Sequence, residues 1–129
     1  MARAVLTLQT IGRGDGTDTA IIPTYAAVDQ ANGNSFDNTS RKVYLHVKNA
    51  NASTIVVTID VPGTVENEAK PQKTYSMATA TELVIGPFGS NFDNDESGDS
   101  GSVKAVLVDY DIGASVTAGA FYLPTAQNV

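Results

Sequence analysis

Apolar and polar residues alternate along much of this chain with a period of two, the spacing that gives a strand one inward and one outward face. In KVYLHVK (42–48) the inward set is Val43, Leu45 and Val47, which leaves Lys42, Tyr44, His46 and Lys48 on the other face. The next run repeats the pattern with Ile55, Val57 and Ile59, and the residues between the runs, Asn49 to Ser53, suit a hairpin loop. Pro62-Gly63 ends that strand. RAVLTLQTI (3–11) predicts a first strand through Val5, Leu6 and Leu8. Thr19 to Val28 predicts a second, edge or bent, broken at Pro23.

ANGNSFDNTS (31–40) and GTVENEAKPQK (63–73) collect turn formers and polar residues and read as loops. KTYSMA, ATELVIGPF, SVKAVLVDYD and SVTAGAFYL then supply four more strands. About eight short strands, with hardly any stretch keeping a helical period, predict an all-β, single-domain antiparallel β-sandwich, jelly-roll-like. Residues 1–20, rich in Gly, Thr and Asp from position 12, are read as an extended N-terminal arm, and 90–102 as an acidic loop.

Composition narrows the function. At 129 residues the chain is long enough to bury a core without staples, and with no cysteine it has no disulfide, thiolate metal site or thiol nucleophile. No apolar run reaches the length of a membrane span, and the N-terminus lacks the apolar segment of a signal peptide, so the expectation is a soluble protein made in the cytoplasm. Eight Lys+Arg against fourteen Asp+Glu give a net charge of −6 with no basic cluster, the wrong field for holding phosphates, so neither nucleic acid nor membrane is expected as a partner.

Candidate chemistry is sparse. His46 is the sole histidine and sits between Tyr44 and Lys48, with no serine on a nucleophile elbow in the chain, so it reads as a surface or interface residue. SNFDNDESGDSGS (90–102) mimics the opening of a calcium loop, but its twelfth position is Lys104 where a bidentate carboxylate belongs. Asp93, Asp95 and Asp99 are left as weak metal candidates beside the reading of a solvated loop. Arg13-Gly14-Asp15 and the sequons at Asn38 and Asn51 are idle without secretion. The acids crowd into loops where raised pKa values are hard to arrange, the chain has no tryptophan, and P-loop and dinucleotide fingerprints are missing. No catalytic residue and no cofactor is expected. Tyr25, Tyr44, Tyr75 and Tyr122 leave a sugar-binding surface open.

Four segments, ANGNSF (31–36), LHVKN (45–49), TIVVTIDVPGTV (54–65) and IGPF (85–88), resemble in order and spacing those of small virion proteins of tailed bacteriophages. The resemblance covers roughly residues 24 to 123; the extension from Arg3 to Thr19 and the acidic insert at 93–101 depart from it. It implies a β-sandwich head decoration (cement) protein, non-enzymatic, on the capsid surface of the virion. The implied partners are the major capsid protein and further copies of itself in a homotrimer. The alternatives are a neck, tail or host-contacting fibre component, then a carbohydrate-binding module. On this reading the interface candidates are Tyr44, His46 and Lys48 on the strand, and Arg3, Leu6, Leu8, Ile11 and Arg13 on the arm, which is expected to reach a neighbouring subunit.

Overall fold

The computed structural model describes residues 3–11, 21–97 and 101–123. Its strands are β1 (Ala4–Val5), β2 (Leu8–Thr10), β3 (Ala26–Ala27), β4 (Asn34–Asp37), β5 (Val43–Asn49), β6 (Ile55–Ile59), β7 (Thr64–Val65), β8 (Glu68–Ala69), β9 (Lys73–Met77), β10 (Thr81–Ile85), β11 (Asn94–Glu96), β12 (Ser102–Tyr110) and β13 (Val116–Tyr122), with one 3₁₀ turn at Ser90–Phe92. Sheet A has the order β1-β4-β12-β6-β9, with β11 also on β12; sheet B has the order β10-β5-β13-β2, with β3 also on β13. Pairing is antiparallel except for β1 with β4 and β2 with β13. The fold is an all-β sandwich, and among the described residues no helix is long and apolar enough to cross a membrane.

The alternating runs make the core as their pattern requires. Val43, Leu45 and Val47 of β5 are fully buried, as are Ile55, Val57 and Ile59 of β6, and Val106 and Val108 of β12 join them. Each such side chain contributes on the order of 1.5–3 kcal/mol by leaving water. Ala118 and Ala120 on the inward face of β13 are also buried.

Four expectations change. Residues 42 to 65 are not a hairpin: β5 lies in sheet B and β6 in sheet A, so the chain arches across the core between them. Two runs with one apolar face each can bury those faces against one another only from opposite sheets. Asn49 makes the arch possible. Its buried Nδ2 faces the carbonyls of Ser53, Met77 and Ala78, each at 3.1 Å, and its Oδ1 accepts from the N–H of Asn51 at 2.9 Å.

The stretch 31–40, read as a loop, contains β4, paired with β1 on one side and β12 on the other. Remote groups hold its buried asparagines: Asn34 Nδ2 donates to Ala4 O at 3.0 Å and Asn38 Nδ2 donates to Phe88 O at 3.1 Å, while Asn38 Oδ1 has no partner among the described residues. The stretch 63–73 likewise holds the small hairpin β7–β8, turning through Glu66 and Asn67, both at positive φ (52° and 69°) as a tight hairpin turn demands.

The N-terminal segment is no free arm over residues 3–11. β1 zips into sheet A, β2 into sheet B, and Leu6 between them is 6% exposed, in the core. Leu6 is therefore a core residue and not an interface candidate, and Leu8 packs partly buried against the same cluster. Arg3 is also spent within the chain. Its guanidinium donates to Val108 O at 3.1 Å and Asp109 Oδ1 at 2.8 Å, in the space left by Gly33 at φ +82°.

Two buried polar groups make opposite predictions. Asn49→Ala strips the donors from three carbonyls and should cost about 2–4 kcal/mol. The Tyr110 hydroxyl is buried with no partner among the described residues. Tyr110→Phe should therefore be neutral or stabilise by up to about 1 kcal/mol. Urea unfolding of both variants reads the difference; equal losses would contradict the assignment.

Candidate functional site

The outward face of sheet B is where the molecule departs from a plain sandwich. Outward positions Tyr44 and His46 on β5, Val84 on β10, and Phe121 and Leu123 at the end of β13 leave a floor of aromatic and aliphatic side chains. Over this floor run residues 21–25, a strap that crosses above Gly119 and leads into β3, where it joins β13. A Cβ on Gly119 would stand 3.0 Å from Thr24 O, so any larger residue would push the strap outward by a few tenths of an ångström. Gln9, outward on β2, pins the strap: its Nε2 donates to Thr24 O and its Oε1 accepts from Thr24 N–H, both at 2.8 Å.

The strap delivers Tyr25 to His46. The Tyr25 hydroxyl lies 2.7 Å from His46 Nδ1, and the rings meet edge to face at 5.2 Å. His46 Nε2 lies 2.7 Å from Glu82 Oε1 on the neighbouring strand. A carboxylate can only accept, so Nε2 donates to Glu82, and Nδ1 shares the other hydrogen bond with the Tyr25 hydroxyl, accepting from it in the neutral ring. Lys48 Nζ caps the tyrosine 3.8 Å from the ring centroid.

Glu82, His46 and Tyr25 thus form one chain of hydrogen bonds. It is built to hold. Burial first, and then the charge of Glu82, push the Tyr25 phenol above its ordinary pKa, the reverse of what a nucleophile or base needs. Both imidazole nitrogens are occupied.

Between strap and sheet lies a groove of about 560 Å³ lined by Ile11, Ile21, Pro23, Tyr44, Val84 and Leu123, with Tyr25, His46 and Phe121 as its inner wall. The lining offers an apolar side chain a seat and gives a sugar's hydroxyls few partners. Ile22, beside it on the strap, is 91% exposed.

The sequence candidates divide. Tyr44, His46 and Ile11 come together in the groove, and Lys48 braces it. Arg13 and Asp99 lie outside the described residues. Asp93, proposed for a metal, is held by Arg41 at 2.9 and 2.6 Å, and Asp95 turns back on the N–H of Ser97 at 3.0 Å, the bond that keeps its carboxyl below the ordinary pKa. Among the described residues no group of three or more His, Cys, Asp or Glu could hold a metal ion. Asn38 is fully buried, which closes its sequon to a glycan.

Glu82 and Gln9 are not among the sequence candidates, and Gly119 and Phe121 enter there only as part of the apolar stretch 118–124. Gln9 and Gly119 carry no local signal for a strap 15 or more residues away. The acid at Glu82 becomes meaningful only through the register that sets it beside Lys48 and within reach of His46.

Gln9→Ala should free the strap while leaving the core intact. Amide exchange at Thr24 is expected to rise at least on the order of tenfold with little change in global unfolding. Unchanged protection at Thr24 would show that Gln9 does not hold it.

Comparison with known proteins finds no family model that matches the chain and no significantly similar curated protein or solved structure.

Proposed function

We propose that this chain is a non-enzymatic structural protein of a tailed-phage virion, a decoration protein that sits on the capsid surface as a homotrimer and bridges major capsid protein subunits. The observation that carries the reading is the groove on sheet B. An apolar seat of about 560 Å³ lies open on a face whose strand pattern is otherwise polar, and its aromatic wall is fixed by hydrogen bonds instead of being aimed at a reacting atom. Such a surface suits an apolar side chain of another protein.

The motifs behind the resemblance support the reading at the level of architecture. Asn34 and Phe36, Asn49, and Gly86 with Phe88 are the positions on which β4, the arch and the turn after β10 depend. A ligand that binds only the assembled shell stabilises that shell by mass action, and a trimer multiplies weak contacts through effective concentration.

Purified protein added to undecorated, expanded heads should bind and raise their disruption temperature. Tyr44→Ser and Val84→Asp, both on the groove, should weaken binding about tenfold or more while melting like the parent protein. Absence of binding to heads would overturn the proposal, and binding that ignores both substitutions would remove the groove from it.

A further inference from the structure

The two sheets end in edges of different character. Sheet A ends at β9, whose outward residues Thr74 and Ser76 are small and polar and whose first residue is Lys73, a blunted edge. Sheet B ends on one side at β10, which pairs with β5 in unbroken register from Thr81↔Asn49 to Ile85↔Leu45 and, among the described residues, pairs with no strand on its other side. No proline or bulge interrupts it. Alternate backbone groups of β10 therefore point away from the sheet, a template for one more strand.

The outward side chains of this edge are Glu82 and Val84. Val84 is 64% exposed and forms the outer wall of the groove. The Glu82 side chain is 59% exposed although it holds His46. A second copy is a poor occupant. Antiparallel pairing of β10 with itself about a twofold sets Glu82 against its own equivalent or against Val84. The one register that matches Val84 to Val84 sets Glu82 against Gly86, which at φ +137° has already left the strand. None gives the carboxylate a counter-charge.

We propose that the β10 edge accepts an extended segment of a different protein, one that carries a basic residue and an aliphatic residue two positions apart. Directly opposed residues on one face of a sheet interact as pairs, so the basic side chain lies across from Glu82 and the aliphatic one across from Val84, where it also covers the mouth of the groove. Main-chain hydrogen bonds to β10 hold the segment, and the acid and the valine select it. This deepens the virion reading by naming the chemistry of the partner segment, yet the edge and its test do not depend on which particle the protein joins.

A yeast-displayed library of random twelve-residue peptides, selected on the purified protein, tests this. Enriched peptides should share Lys or Arg two positions from Val, Ile or Leu, and one such synthetic peptide should slow amide exchange along β10. Glu82→Lys should weaken that peptide at least about tenfold, and reselection on the variant should replace the basic residue by Asp or Glu. Because Glu82 also braces His46, Val84→Thr serves as a second variant that leaves the brace intact; it should lose the aliphatic preference alone. No enrichment over an unrelated β-sandwich, or enriched peptides indifferent to both substitutions, would overturn the proposal. That result would leave binding to heads to be decided by the head assay itself.

Discussion

A sandwich whose strands change sheets leaves backbone groups without ladder partners at each crossing, and side chains take their place there. At one end of this molecule the crossings at 49–54, 78–80 and 111–115 are laced together. The Asn49 amide serves the carbonyls of Met77 and Ala78, Asn51 Nδ2 donates to Ala114 O at 2.8 Å, and the Thr79 hydroxyl donates to Asn51 O. Asp111 Oδ1 accepts from Val56 N–H at 2.8 Å, which fixes where β6 begins. The Asn49 bond to Met77 O is the buried one of these, where a carbonyl left unpaired costs about 1–3 kcal/mol, while the Asn51, Thr79 and Asp111 bonds tie the crossings together nearer the surface. The opposite end uses the same device: Asn38 bridges to Phe88 O beneath a stack of Phe36, Phe88 and Phe92 with ring centroids 5.4–5.5 Å apart.

The alternation of Val43, Leu45 and Val47 with Tyr44, His46 and Lys48 was legible because period two is a local property. Whether the next run returns beside it or crosses over is not local, and the arch was therefore misread as a hairpin. The strand β4 hid for a related reason. Asn34 and Asn38 look like loop residues until Ala4 O and Phe88 O, 30 and 50 positions away, give their amides somewhere to go. Of the groove, the face bearing Tyr44 and His46 could be read. Its second wall could not, since Pro23 and the turn formers around it announce only an irregular segment, with nothing to say that Gly119 opens a bed for it.

The arrangement around His46 bears on what kind of function this face can have. A general base needs a free lone pair within reach of a substrate proton. Here one nitrogen faces Glu82 and the other is taken up by the Tyr25 hydroxyl, so both are engaged within the chain. What the array provides is stiffness. A strap held by Gln9 at one point and His46 at another, with Lys48 over its tyrosine, presents a groove already in shape, which lowers the ordering cost that any partner must overcome.

Fold and groove are also not independent modules, because one short segment builds both. Residues 3–11 enter sheet A through the Arg3–Asp109 pair and β1, pass through the core at Leu6, and emerge in sheet B as β2. There Gln9 grips the strap and Ile11 lines the groove. An arm that merely reached toward a neighbour could be removed without disturbing the parent surface. This segment cannot: losing it would open the core at Leu6, leave β13 without its parallel partner, and release the strap in the same event. The surface offered to a partner is thus assembled only when the first strands have locked the two sheets together, which ties exposure of the apolar groove to the fully folded state.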